Sequence, residues 1–139
     1  MKTKTKTMVV LVLVIVLGIT SVGKALAAGS YSSYNKTVPR LNGSTTTSNK
    51  TKQSASDTAT VCSNWVALNY VLRARIEDVN NNAAAGYQTI DDQQRRNYTL
   101  SPSTAGANYH ARLKSYIYIT VNVVADGKWS PDNPGGCGF

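Results

Sequence analysis

From Val66 to Ile76 every second residue is apolar or small: Val66, Leu68, Tyr70, Leu72, Ala74 and Ile76. The alternates include Asn69, Arg73, Arg75 and Glu77. A period of two over this length is the pattern of a strand with one buried face. Helical spacing also aligns Trp65, Leu68, Leu72 and Ile76, so a helix is the competing reading of this segment. The longest alternation runs from Tyr109 to Val124. One face reads Tyr109, Ala111, Leu113, Ser115, Ile117, Ile119, Val121 and Val123, and the other begins His110, Arg112, Lys114, Tyr116, Tyr118. Its β-branched and aromatic content fits a strand. Strands usually run about three to ten residues, so a bulge or bend is predicted near Ser115. Asp126-Gly127 then reads as a two-residue hairpin turn, with Lys128-Trp129 opening a return strand that Pro131 stops.

Shorter signals fill the middle of the chain. Tyr87–Ile90 is a short strand candidate, and Arg96, Tyr98 and Leu100 alternate again before Pro102. The run from Asn80 to Gly86 reads as a loop, and Asp91–Arg96 as a charged turn. Many short strands between turn signals, with no clear amphipathic helix, predict an all-β fold: a small antiparallel β-sandwich or partly open barrel. Residues 28–57 are rich in Ser, Thr, Asn and Lys and read as a polar arm or an edge hairpin. Asn42-Gly43 is a turn signal there, although the residues flanking it alternate only weakly. Residues 58–139 read as the sandwich core.

The first 27 residues have a different character. Lys2, Lys4 and Lys6 precede an apolar run from Met8 to Leu17, and Ala25-Leu26-Ala27 supplies an A-x-A site. This is the pattern of a secretory signal peptide cut after Ala27. A retained membrane anchor is the alternative, but spanning a bilayer takes roughly 20 apolar residues. That length is reached here only through Gly18, Thr20, Ser21, Gly23 and Lys24. Cleavage would remove four lysines and no acid, leaving 11 basic and 7 acidic residues, a net charge of +4. Such a chain is expected to be secreted and extracellular and to favour anionic surfaces: a cell-wall polymer, a membrane surface or an acidic glycan. The location argues against nucleic acid. The remaining length makes one domain, which buries between about 60% and 70% of its unfolded surface.

Cys62 and Cys137 are the two cysteines. An exported domain with an even count predicts one disulfide. Closing so long a loop is worth roughly 4–5 kcal/mol in the chain-entropy model. The bridge explains why a tail of turn-formers, Gly127–Phe139, carries a thiol near its end. Trp65, three residues after Cys62, is expected to pack on it. An intermolecular bridge and free or reactive thiols are the alternatives. Two cysteines with one histidine do not complete a four-ligand zinc site, so no metal is expected.

The polar alternates of the two main strands define the candidate binding residues: Arg73, Arg75, His110, Arg112, Lys114, Tyr116 and Tyr118. If the strands are neighbours, Arg73 and Arg75 lie beside Arg112 and Lys114. Such a face holds an anion by charge and a ring or sugar by stacking. The competing reading is an ordinary solvated sheet face. No G-x-S-x-G, H-E-x-x-H or P-loop motif occurs, and the acids are scattered along the chain. No catalytic residue, cofactor or enzymatic activity is therefore expected. A small secreted hydrolase is the remote alternative.

Gly127-Lys128-Trp129-Ser130-Pro131-Asp132 resembles the G-x-W-S-P-D ending of small secreted proteins of Gram-positive bacteria. A looser likeness rests on the leader, Tyr31–Asn35 (YSSYN), the polar tract and a tryptophan ahead of alternating strands. In these the chain is similar to lactococcin-type β-sandwich bacteriocins, from which the cysteine pair and the longer mature chain depart. That resemblance implies a cationic exported protein acting at cell-wall synthesis. The expected function is non-enzymatic binding of an anionic cell-envelope component, with bacteriocin-like antagonism as the alternative.

Overall fold

The computed structural model describes residues 29–139. The expected signal peptide and its expected cleavage site after Ala27 lie outside them. Nine strands follow in chain order: β1 (Ser32–Val38), β2 (Ser44–Thr46), β3 (Lys50–Thr51), β4 (Ala59–Val66), β5 (Leu72–Asp78), β6 (Gln88–Ile90), β7 (Gln94–Tyr98), β8 (Asn108–Lys114) and β9 (Val123–Ser130). They form two antiparallel sheets, with strand orders β1-β9-β4-β7 and β2-β8-β5-β6, and β3 also pairs with β8. We call these the first and second sheets. The all-β expectation holds, including the strand reading of Leu72–Asp78 over the helical one. Among the described residues no helix is long and apolar enough to cross a membrane.

Alternation builds the core. Leu72, Ala74 and Ile76 of β5 and Tyr109, Ala111 and Leu113 of β8 turn inward to meet Val61, Val123, Ala125 and Trp129 of the first sheet. Tyr98 ties the two layers together: its hydroxyl, from β7, donates to the carbonyl of Ala74 in β5 at 3.0 Å. Tyr34 donates to the Cys62 carbonyl at 3.2 Å. Burial pushes both phenols well above the ordinary tyrosine range.

Several expected boundaries move. The alternation from Val66 to Ile76 is not one strand. At Ala67–Asn69 a single 3-10 turn carries the chain from the first sheet to the second, with Leu68 and Asn69 at φ +62° and +54°. The alternation from Tyr109 breaks at Ser115, as expected, but Tyr116–Asn122 form a loop and not the second half of a strand. Ser115 is buried at the break, and its hydroxyl donates to the Pro39 carbonyl at 2.6 Å. Asp126-Gly127 is not a turn; both residues lie inside β9. Glycine is needed there because a Cβ would collide with the Cys62 carbonyl and stand 2.7 Å from the Tyr34 hydroxyl. Asn42-Gly43 does close a turn, with Leu41 and Asn42 at φ +56° and +67°, but it joins strands of different sheets. The polar segment 32–51 supplies edge strands to both sheets.

The chain ends in two fasteners. Cys62 and Cys137 form the intramolecular disulfide, with Cα atoms 5.8 Å apart across 75 residues. The β4–β9 register shifts between Ser63 and Trp65, and this irregularity turns Trp65 outward, leaving it 49% exposed. Trp129 is the tryptophan of the core. Just beyond it lies a buried ion pair. Lys52 Nζ stands 3.5 Å from Asp132 Oδ1 and donates to the carbonyls of Asp57 (2.7 Å) and Pro131 (2.6 Å). Asp132 accepts the backbone N–H groups of Gln53 and Ser54 at 2.9 and 3.0 Å. The G-x-W-S-P-D stretch is thus a structural clasp: close-approach glycine, core tryptophan, strand stop and buried carboxylate.

Candidate anion-binding face

The outer face of the second sheet is set by the pairing of β5 with β8. That register places Arg73 opposite Lys114, Arg75 opposite Arg112 and Glu77 opposite His110. Inward residues between them anchor the backbone, so the polar side chains must project to the other side. Like charges directly opposite each other on a sheet destabilise it. Two such cross-strand pairs stand next to each other here.

One carboxylate organises the lower half of the face. Glu77 is fully buried. Arg112 Nε donates to both of its oxygens at 2.7 Å, Arg75 Nε donates to Oε1 at 2.6 Å, and His110 Nε2 lies 3.1 Å from Oε2. Burial raises the Glu77 pKa, and the hydrogen bonds from Arg112, Arg75 and His110 outweigh it, so the carboxyl sits below its ordinary value. Asn49 meets the other ring nitrogen of His110 at 3.1 Å. Arg112 reaches on to Ser44 and Asn81 at 2.9 and 3.0 Å. At the edge Asp78 accepts hydrogen bonds from the side chain and backbone of Asn82, which lower its pKa.

The upper half is cationic and aromatic. The Arg73 guanidinium lies 4.5 Å from the Tyr116 ring centre and 5.4 Å from that of Tyr87. Arg75 and Lys114 approach Tyr87 at 4.6 and 5.9 Å. Tyr116 stacks on Tyr118 with ring centres 5.2 Å apart. Arg73 also donates to Asn42 and to the Ser115 carbonyl, and its Nε has no acceptor among the described residues. Neither Arg73 nor Lys114 forms an ion pair among the described residues, whereas Arg75 and Arg112 are both committed to Glu77.

Six of the seven residues named from sequence meet directly on this face. Tyr116 and Tyr118 both reach it from the 116–122 loop and not from a strand, Tyr118 only through Tyr116. Two contributors were missed. Glu77 was visible in the alternation Arg73-x-Arg75-x-Glu77, but its role depends on a partner 35 residues away. Tyr87 precedes a three-residue strand, and nothing local places it over two arginines. Comparison with family models, curated proteins and solved structures finds no match to this chain.

Proposed function

We propose that this is a secreted, non-enzymatic protein that binds an anionic component of the cell envelope through the outer face of its second sheet. The observation that carries the reading is the Arg73–Lys114 pair, two cations opposite each other with no carboxylate to neutralise them and with tyrosine rings beside them. Phosphate or carboxylate groups accept charge-assisted hydrogen bonds from such a pair, and sugar rings pack on Tyr116 and Tyr118. The groups that would do acid–base chemistry, Glu77 and His110, are buried and held by Arg75, Arg112 and Asn49. This supports binding over catalysis. The leader and the disulfide support export to an oxidising location.

The test is sedimentation of the protein with purified bacterial cell walls. Arg73→Ala/Lys114→Ala should bind at least about tenfold more weakly, since each charge-assisted hydrogen bond is worth roughly 1.5–3 kcal/mol. Equal retention of both proteins would refute the reading. The likeness to lactococcin-type bacteriocins favours a second reading, antagonism through the same face. Inhibition of related bacteria by wild type and not by the double variant would favour it.

A further inference from the structure

Eight large apolar side chains are exposed among the described residues, and five of them crowd one end of the sandwich. Leu41, Leu68, Ile117, Tyr118 and Val121 are 54%, 68%, 70%, 66% and 40% exposed. They stand on three loops: 39–43, between β1 and β2; 67–71, between β4 and β5; and 115–122, between β8 and β9. The loops are not loose. Leu41 N donates to the Ile119 carbonyl at 2.8 Å, Asn42 N to the Tyr116 carbonyl at 3.3 Å, and Arg40 N to Asn122 at 3.2 Å. Ile119 is buried and anchors its loop, while Ile117, Tyr118 and Val121 fan outward around it.

The backbone gives a second, independent observation. Leu41 and Leu68 both sit in the left-handed region, at φ +56° and +62°. That region favours Gly, Asn and Asp, and a bulky residue there is an outlier. Leucine is thus held at two positions where it costs backbone energy and gains no burial. Function is the usual reason for such strain.

Charge identifies the occupant. Arg40 lies on the same tip, and Arg73 and Lys114 lie directly below it on the second sheet. Tyr116 packs on Arg73, and Tyr118 of the tip stacks on Tyr116. Exposed apolar side chains with tyrosines and cations next to them match the chemistry of a bilayer interface with anionic headgroups. Carboxylates also reach this end: Asp92, on the β6–β7 connection, accepts the Val66 N–H beside the 67–71 loop, and Asp126 of β9 lies opposite Trp65, so the cations nearest the apolar side chains are Arg40 on the tip and Arg73 and Lys114 on the second sheet. We infer that this tip docks into an anionic phospholipid bilayer, with Leu41, Leu68 and Ile117 entering the interface and Arg40, Arg73 and Lys114 on lipid phosphates. The inference rests on the proposed function and narrows its ligand to lipid.

The experiment uses the oxidised mature chain with vesicles of phosphatidylcholine alone or mixed equally with phosphatidylglycerol. Binding is read by cosedimentation. The variant is Leu41→Asn/Leu68→Asn/Ile117→Ser. Asparagine tolerates the left-handed backbone better than leucine, so the fold should be kept, with an unchanged or higher melting temperature. Wild type should bind the anionic vesicles, and the variant should lose at least about tenfold in affinity. Both should bind soluble poly(glycerol phosphate) equally. Equal vesicle binding by both proteins would overturn the inference. So would a wild-type dimer, formed without lipid, that the variant abolishes, because the tip's occupant would then be a second copy. Wild type that ignores vesicles but binds the soluble polymer would also overturn it, yet leave the anion-binding reading standing. If wild type binds neither, both fail.

Discussion

Two carboxylates, Asp132 and Glu77, are completely buried, and they are served in opposite ways. Asp132 has one cation, Lys52, and two backbone N–H groups, while Lys52 spends its remaining hydrogen bonds on carbonyls. Every group in that cluster is satisfied inside the protein. Glu77 has two arginines and a histidine, and the next row of the same face holds Arg73 and Lys114 with no acid at all. One cluster is closed and fastens the 52–57 segment to the stretch just after β9. The other holds more cations than acids, and Arg73 and Lys114 form no ion pair among the described residues. Opposed like charges weaken a sheet, so the second arrangement is the one that the proposed binding would use.

The comparison can be broken in several places. The largest loss should come from the fastened end: Cys62→Ser/Cys137→Ser should cost about 4–5 kcal/mol in urea unfolding, because the bridge closes a 75-residue separation. A loss below about 1 kcal/mol would mean the bridge is incidental. Next is Lys52→Met, which leaves Asp132 buried and unpaired and should cost about 3–5 kcal/mol. Binding of poly(glycerol phosphate) should not change in that variant once it is refolded, because the closed cluster lies away from the face.

Acid gives a smaller effect. The folded-state pKa of Glu77 is depressed, so its contribution is complete above the unfolded glutamate value, about 4.3, and fades as pH falls through the folded value. Asp78 acts with the same sign. The urea midpoint should therefore be level near neutral pH and fall in acid, with a shallower fall in Glu77→Gln. An identical acid slope in that variant would show that Glu77 is not the organiser. The smallest change is expected from Arg73→Ala/Lys114→Ala, whose stability should stay within about 1 kcal/mol of wild type or rise. A large loss would make those cations structural and erase the contrast.

Much of this was legible in the sequence, and the rest had physical reasons for being hidden. The alternations at Leu72–Asp78 and Asn108–Lys114 announce the two strands that carry the face, because one side of each must be buried. Ser115 and Pro131 mark true ends. The corner at Leu68–Asn69 was hidden because it lacks Gly and Pro and the two-residue period runs straight through it. Asp126-Gly127 misled because a turn dipeptide is also what a strand needs where a tyrosine ring crosses it. The Lys52–Asp132 pair joins residues 80 apart, and no local pattern connects them. Register was the missing link for the site. Sequence supplied the cations, and only the pairing of β5 with β8 shows which of them Glu77 neutralises.

The central claim is that the surplus cations of the second sheet hold an anionic component of the cell envelope through its phosphate or carboxylate groups. Its most direct test is an equilibrium binding isotherm of the oxidised protein with soluble poly(glycerol phosphate), repeated at rising salt, for wild type and Arg73→Ala/Lys114→Ala. Wild type should bind and weaken steadily as salt screens the charges, and the double variant should bind at least about tenfold more weakly with a flatter salt dependence. Equal affinity and equal salt dependence for the two proteins would contradict the account.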